Sequence, residues 1–261
     1  MTEPVHIVRR GPIVEVTLDR PKANAVDAAT SRALYAAFRA FQDDDQARVA
    51  ILTGAGDHFF CAGWDLKAAA AGEGAEADHG KGGFAGLTEF FDLDKPVIAA
   101  VNGLAYGGGF ELALACDLIV AAETAAFAFP ETGLGIIANA GGVQRLPRRL
   151  PRPLAMELLL TGRRLEAQEA LARGLVNRIE PRDSLLAAAR ALAGTIAAKA
   201  PLATRAVKET VALGEGLSVA EIFAAMHAGK APLYSAMLES EDAREGPRAF
   251  AEKRAPVWKG R

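Results

Sequence analysis

From Ile13 to Leu18, apolar and polar positions alternate directly after Gly11-Pro12, and a period of two entered from a turn predicts a strand. Pro21-Lys22-Ala23-Asn24 reads as a second turn. Asp27 or Thr30 then offers an N-cap for a helix running to about Phe41. Further on, the texture changes. Val49–Gly54, Val97–Val101 and Leu118–Ala121 are short, wholly apolar runs with no polar face, as expected of strands covered on both sides in a parallel sheet. A helical run from Phe110 to Cys116 separates two of them, and strands alternating with helices predict parallel β-α-β units. Beyond about Arg145, helical spacing dominates: Leu154–Leu160, Glu166–Arg173, Ser184–Lys199, Pro201–Leu213 and Ser218–Leu238, with one strand-like interruption at Leu175–Ile179. Residues 68–86, rich in Ala, Gly and acid, read as a mobile surface loop of the kind that carries ligand contacts. The expected architecture is α/β, with a core over residues 1–183 and a helical region over 184–261. No sequence repeat is visible.

Composition narrows the functional classes. Of 261 residues, 51 % are apolar, enough for a large core. The 30 basic residues nearly balance the 32 acidic ones, so no net field draws the chain to nucleic acid or membrane. Two cysteines, Cys61 and Cys116, make no disulfide framework, and a reducing cytoplasm is expected. The start, Met1-Thr2-Glu3-Pro4-Val5, lacks the charged and apolar regions of a signal peptide, and no apolar stretch is long enough to span a bilayer.

Chemistry concentrates in three segments. In Asn102-Gly103-Leu104-Ala105-Tyr106-Gly107-Gly108-Gly109-Phe110-Glu111-Leu112 a buried strand gives way to a helix across a glycine cluster. A helix N-terminus presents free N–H groups and a partial positive charge. Glu111 falls one turn in, on the face of Gly108, among apolar neighbours where a carboxylate is costly. Either it is a salt-bridged structural acid or it has work in a site. Glu131, in Phe129-Pro130-Glu131-Thr132-Gly133, stands at a strand end, where α/β sheets place their sites. Alone it is a surface acid; paired with Glu111 it makes an acid/base couple. In Phe59-Phe60-Cys61-Ala62-Gly63-Trp64-Asp65-Leu66, Asp65 reads as a helix cap and Cys61 as a small buried residue, while the Trp64 backbone N–H offers a second donor beside Gly108. The four histidines have no metal-ligand spacing, and neither a P-loop, a dinucleotide fingerprint nor a nucleophile elbow is present. Arg145, Arg148, Arg149 and Arg152 cluster as a solvated or interface surface rather than a nucleic-acid patch.

Together these segments resemble the crotonase, or enoyl-CoA hydratase/isomerase, superfamily. The resemblance runs from Leu18-Asp19-Arg20-Pro21-Lys22-Ala23-Asn24 through the Cys61–Leu66 and Lys95–Gly103 segments, Gly107–Ala113, Pro130-Glu131, Gly141–Leu146 and Thr161-Gly162-Arg163 to Phe250-Ala251-Glu252-Lys253-Arg254. It implies a spiral of ββα turns with a helical trimerisation region, a homotrimer or a dimer of trimers. It also implies an oxyanion hole from the backbone N–H groups of Trp64 and Gly108, and catalysis by Glu111 as base and Glu131 as acid. Lys22, Ala23, Ala62, Asp65 and Leu66 match the coenzyme A groove, and Phe250 and Lys253 match residues that reach a neighbouring subunit's CoA. No metal or separate cofactor is implied, because coenzyme A is part of the substrate. The stretches Ala62–Ala70, Gly82–Glu89 and Pro256–Arg261 are most similar to the carnitinyl-CoA dehydratase branch, whose substrate carries a quaternary ammonium. Trp64, Phe84 and Trp258, with Phe90 and Phe91 as weaker aromatic candidates, Glu89 as a charge and Asn139, are the pocket residues this suggests. Phe90 and Phe91 read more naturally as packing. Ala138 and Asn139 depart from the Pro and Gly of many relatives. A general short-chain enoyl-CoA hydratase, a Δ-isomerase and a non-catalytic RNA-binding relative remain the alternatives.

Overall fold

The computed structural model describes residues 3–74 and 77–261; Met1 and Thr2 of the N-terminal segment and residues 75–76 of the expected loop lie outside the described residues. The chain forms two compact units. One comprises Met1–Leu93 with Val97–Ala193, the other Asp94–Pro96 with Gly194–Arg261. The second unit therefore starts at Gly194 rather than at 184, and it includes a short piece of chain from before the second of the three apolar runs.

The first unit begins with a hairpin, β1 (Val5–Arg10) and β2 (Ile13–Leu18), paired antiparallel. Helix α1 (Ala28–Asp43) follows, capped by Asp27, whose carboxylate accepts the Thr30 N–H at 2.7 Å. Its buried residues Ser31, Leu34, Phe38 and Phe41 recur at helical spacing, and each large apolar side chain so covered contributes roughly 1.5–3 kcal/mol. Next come β3 (Val49–Gly54), β4 (Phe59–Cys61), the short α2 (Leu66–Ala70), β5 (Val97–Val101), β6 (Leu104–Tyr106), α3 (Gly108–Ala115), β7 (Leu118–Ala122) and β8 (Ala126–Ala128). β3 and β5 are buried at every position, as their unbroken apolar runs require. After β8 come α4 (Gly142–Arg149), α5 (Arg152–Thr161), β9 (Leu165–Glu166), α6 (Ala167–Ala172), β10 (Arg178–Glu180) and α7 (Leu185–Ala197).

Two sheets result. The larger has the order β1-β2-β3-β5-β7-β10, the smaller β4-β6-β8-β9. Consecutive strands alternate between them: β3, β5 and β7 lie parallel in one, β4, β6 and β8 parallel in the other. Each pass of the chain thus deposits one strand in each sheet, which is the expected ββα spiral.

Three expectations need correction. β1 is absent from the sequence pattern because it is an edge strand exposed along most of its length, so no core face marks it. The strand placed at Leu175–Ile179 begins only at Arg178; Leu175 and Val176 are buried in the turn that follows α6. Residues 68–86 are not simply a surface loop: they include the end of α2, and His79 and residues 82–86 are buried, with the Ala85 N–H donating to Ser31 Oγ of α1 at 3.0 Å.

The second unit contains the end of α7, then α8 (Pro201–Leu213), α9 (Val219–His227), α10 (Pro232–Glu239) and α11 (Glu241–Ala251). The single helix expected over Ser218–Leu238 is broken. Gly229 adopts φ +73°, Pro232 starts a new helix at its first turn, and Ala231 before it is non-helical (φ −122°, ψ 76°). Arg205 clamps Asp94 with two bonds of 2.6 and 2.8 Å, which ties the 94–96 segment to α8. The C-terminal strand of chain is held by buried acids: Asp242 accepts the N–H groups of Lys259 and Gly260, and Glu245 accepts that of Val257. No single helix among the described residues is long and apolar enough to cross a membrane.

Asn24 ties the first turn to the spiral. It is buried, holds φ +53°, accepts the Arg20 N–H and donates to the carbonyls of Ala55 and Phe59. Asn24→Ala removes the side-chain partner of the Arg20 N–H and the Ala55 carbonyl, leaves the Phe59 carbonyl only its bond from Asn102, and puts an alanine in the left-handed region, at a cost of roughly 2–4 kcal/mol. A urea midpoint equal to that of the wild type would show that these bonds contribute nothing to stability.

Candidate active site

A cavity of about 400 Å³ opens in the first unit. Its floor is set by a close approach of two backbones. A Cβ on Gly63 would lie 2.7 Å from both the Gly108 nitrogen and the Tyr106 carbonyl, so only glycine lets the 63–64 loop reach the start of α3. Gly63 also holds φ +87°. Loop and strand are locked in register by a parallel bridge in which Val26 donates to the Gly63 carbonyl (2.8 Å) and accepts from Asp65 (2.9 Å). In such a bridge the residue opposite, Trp64, turns its own N–H the other way. Gly108 is the first residue of α3, where helical N–H groups have no internal partner. Neither N–H meets an acceptor among the described residues, and both residues line the cavity.

Two carboxylates complete the centre. Glu111 is carried by α3, which is buried almost throughout, and is itself 3 % exposed. Its Oε1 accepts the Gly142 N–H at 2.9 Å from the start of α4. Burial pushes its carboxyl up to about 7; the Gly142 and Ala140 N–H groups and the Arg145 charge act against that, and the Glu131 charge adds to it. Glu131 sits in a 3-10 turn after β8, 7 % exposed, with Oε1 so placed that a Cβ on Gly107 would be 2.9 Å away. Burial also pushes it up to about 7, and its Oε2 is buried without a hydrogen-bond partner among the described residues. Across the cavity the Phe84 ring covers Gly108, where a Cβ would come within 2.3 Å of it. His79 packs edge-on against Phe84 and bonds Ser31 Oγ through Nδ1 at 2.9 Å.

Of the residues singled out from sequence, Ala62, Trp64, Leu66, Phe84, Gly108, Glu111, Glu131 and Asn139 all line this cavity, as does Glu89. Ala23 stands behind it, its carbonyl accepting the Ala62 N–H at 3.0 Å. Lys22 is exposed on the adjoining turn. Asp65 is engaged otherwise: it caps α2 and pairs with Arg20, which also holds Asp27. Cys61 is a buried thiol pushed up to about 12 by desolvation, hence inert. Arg145 and Arg149 donate to the carbonyls of Thr88 and Cys116, so these two members of the basic cluster are structural. Phe90 packs edge-on against Tyr35 and Phe91 is exposed, which makes them packing and surface residues rather than pocket walls. Phe250, Lys253 and Trp258 belong to the second unit; Phe250 and Lys253 are exposed there, and the Trp258 indole N–H donates to the Ala198 carbonyl at 2.9 Å. Tyr106, Asp78 and His79 line the cavity without having been picked out. Tyr106 adjoins the glycine cluster, which was a signal; a lone histidine in a loop gave none.

This constellation of two backbone donors facing two buried acids accords with a model of the enoyl-CoA hydratase/isomerase family, which matches residues 9–261. The chain belongs to the enoyl-CoA hydratase/isomerase family. Over the full length of both chains it is 58 % identical to the carnitinyl-CoA dehydratase of Salmonella typhi. Among solved family structures, an enoyl-CoA hydratase from Mycobacterium tuberculosis H37Rv superposes with a TM-score of 0.91 at 46 % identity, covering 99 % of this chain and 100 % of its own. A carnitinyl-CoA hydratase from Mycobacterium avium gives 0.77 at 46 % identity and covers both chains completely.

The raised carboxyls of this family member carry a stability cost with a definite sign. A folded-state value of about 7 against the ordinary 4.5 means that between those pH values the folded chain binds more protons than the unfolded one. Stability therefore falls as pH rises through that window, and the loss is complete above it. Glu111→Gln, neutral at every pH, is expected to melt roughly 2–4 °C above wild type at pH 8 and to lose most of that margin at pH 5. A margin that does not change with pH would contradict the assignment of a strained, buried charge.

Proposed function

We propose that this chain catalyses the reversible hydration and dehydration of an acyl-CoA thioester, with crotonobetainyl-CoA and carnitinyl-CoA as the preferred pair. The observation that carries the reading is the facing of two unpaired backbone N–H groups, on Trp64 and Gly108, towards a cavity that also holds two buried carboxylates. When water adds to the β-carbon, negative charge moves to the thioester oxygen. Two fixed donors at a helix N-terminus stabilise it, each worth roughly 10²–10³ in rate. Glu111 is the base. Its ionised form is favoured by the N–H groups of Gly142 and Ala140 and by Arg145, so it can take a proton from water. Glu131 is the acid. Its unpartnered Oε2 is the place for a proton awaiting transfer to the α-carbon. In dehydration the two exchange roles. Both carboxyls lie near 7, so each can hold or release a proton near neutral pH. A cavity with both acids favours hydration over a simple proton shift, which needs one.

The acyl preference rests on the charge and faces of the lining. It includes the carboxylates of Asp78, Glu89, Glu111 and Glu131 and, among the described residues, no lysine or arginine. Trp64, Phe84 and Tyr106 supply aromatic surface. A trimethylammonium group donates no hydrogen bond and is best held by such faces, each worth roughly 0.5–2 kcal/mol. Coenzyme A enters as part of the substrate, along Lys22, Ala23, Ala62 and Leu66, and no further cofactor takes part. The 58 % identity to a carnitinyl-CoA dehydratase supports the same acyl group. A homo-oligomer, trimer or dimer of trimers, is consistent with exposed Val207, Val211 and Phe223 in the second unit. In that assembly Phe250 and Lys253 reach a neighbouring subunit's CoA. A cytoplasmic location accords with the two free thiols.

Glu111→Gln and Glu131→Gln are each expected to fold and to lose about 10²–10⁴ in kcat, followed as the mass shift of one water on the acyl-CoA. Near wild-type turnover in either would remove that residue from the mechanism. For the acyl group, kcat/KM for crotonobetainyl-CoA should exceed that for crotonyl-CoA by about ten-fold, since the two differ only by the cation. If crotonyl-CoA is the better substrate, the enzyme is a general short-chain hydratase.

A further inference from the structure

Trp64 has two separate attachments. Its backbone is held by the bridge to Val26, and its side chain is held by Glu73. The indole Nε1–H donates to Glu73 Oε1 at 3.2 Å, while Glu73 Oε2 accepts the backbone N–H of Ala28, also at 3.2 Å. Ala28 is the first residue of α1, a 16-residue helix whose cap Asp27 is already committed to Thr30. One carboxylate therefore spans from the indole edge to the start of a long, well-packed helix. Glu73 itself is not part of the cavity lining, whereas Trp64 is, half-buried.

We infer that Glu73 is a positioning residue that fixes the plane of the Trp64 indole and so sets the selectivity of the cavity for a cationic acyl group. Two physical effects act together. An indole free to rotate about two side-chain torsions presents its face only part of the time, whereas one bonded at its edge presents it continuously. In addition, an N–H donating to an ionised carboxylate polarises the ring towards its face, and a more negative face attracts a cation more strongly. The carboxylate reaches the indole from its edge, so the face remains free for the substrate. The helix N-terminus, through the Ala28 N–H that donates to Oε2, holds Glu73 in place. Neither effect acts on an uncharged acyl chain of the same size, so Glu73 discriminates between substrates instead of contributing equally to both. The inference rests on the proposed cationic substrate for its kinetic consequence, but the clamp itself has an independent signature.

Two measurements separate them. In a Trp258→Phe background Trp64 is the only tryptophan, and its emission reports on the indole directly. Adding Glu73→Ala should shift that emission to the red and increase its quenching by acrylamide, while Glu73→Gln, which keeps an acceptor for the indole, should stay closer to the parent. Unchanged emission in Glu73→Ala overturns the clamp. In the otherwise wild-type enzyme, Glu73→Ala should raise KM for crotonobetainyl-CoA about five-fold. Its kcat, and both constants for crotonyl-CoA, should stay within about two-fold, with Glu73→Gln intermediate. An equal loss on both substrates would make Glu73 a merely structural residue and sink the selectivity role. If the wild-type enzyme shows no preference for the cation at all, the substrate reading fails, and the fluorescence arm alone decides whether the clamp exists.

Discussion

The site depends on one contact between main chains. Gly63 packs on the Gly108 nitrogen closely enough that no side chain fits between them, and this brings a loop from after β4 against the first turn of α3. These two segments are far apart in sequence and meet only because β4 and β6 are neighbours in the smaller sheet, paired parallel through Phe59 with Leu104 and Cys61 with Ala105. Once that register is fixed, the free N–H of Trp64 and the free N–H of Gly108 are placed by backbone geometry alone. A backbone donor cannot rotate away as a side chain can, so its orientation costs nothing when charge develops on a bound oxygen. The rest of the first unit reads as support for this contact: Arg20 joins the caps of α1 and α2 on either side of the loop, and Phe84 closes over Gly108.

Much of this was legible in the chain, and the reason differs from element to element. β3, β5 and β7 announced themselves because they are buried on both faces, and α8 was found at Pro201–Leu213 because a proline opens it and a glycine follows it. β1 was invisible because an exposed edge strand has no buried face to leave a period. The spiral itself left no repeat in the sequence: its turns share a path, but their strands have two to six residues and their connections vary from a short turn to a long loop. Topology of this kind follows from strand pairing, which is a long-range property that local patterns do not encode.

The site was legible in a different way. The two glutamates stood out because carboxylates among apolar neighbours are costly, and the glycine cluster because it opens a helix. That they converge required the fold. Residues that act by surrounding, such as His79 and Tyr106, carry no local signature. The loop departure at Ala138 and Asn139 finds a physical place here. Ala138 is buried beside Gly142, whose N–H donates to Glu111, and Asn139 lines the cavity.

The same cavity poses an electrostatic problem that the proposed substrate resolves. Two buried carboxylates, with Asp78 and Glu89 also in the lining and no lysine or arginine in the described lining, repel any second negative charge; burial holds both towards the protonated form, and the Glu131 charge adds to this at Glu111. A neutral acyl chain leaves that repulsion as it is. A cationic one supplies the charge the lining lacks, favours ionisation of its neighbours, and by linkage is itself bound more tightly as they ionise. Base strength and substrate affinity are then two faces of one interaction. The benefit falls to Glu111, whose backbone donors already favour its anion, more than to Glu131, whose Oε2 has no donor to stabilise a charge. A cationic acyl group entering the cavity therefore sets the two acids apart, and such a difference is what an acid/base pair working in one step requires.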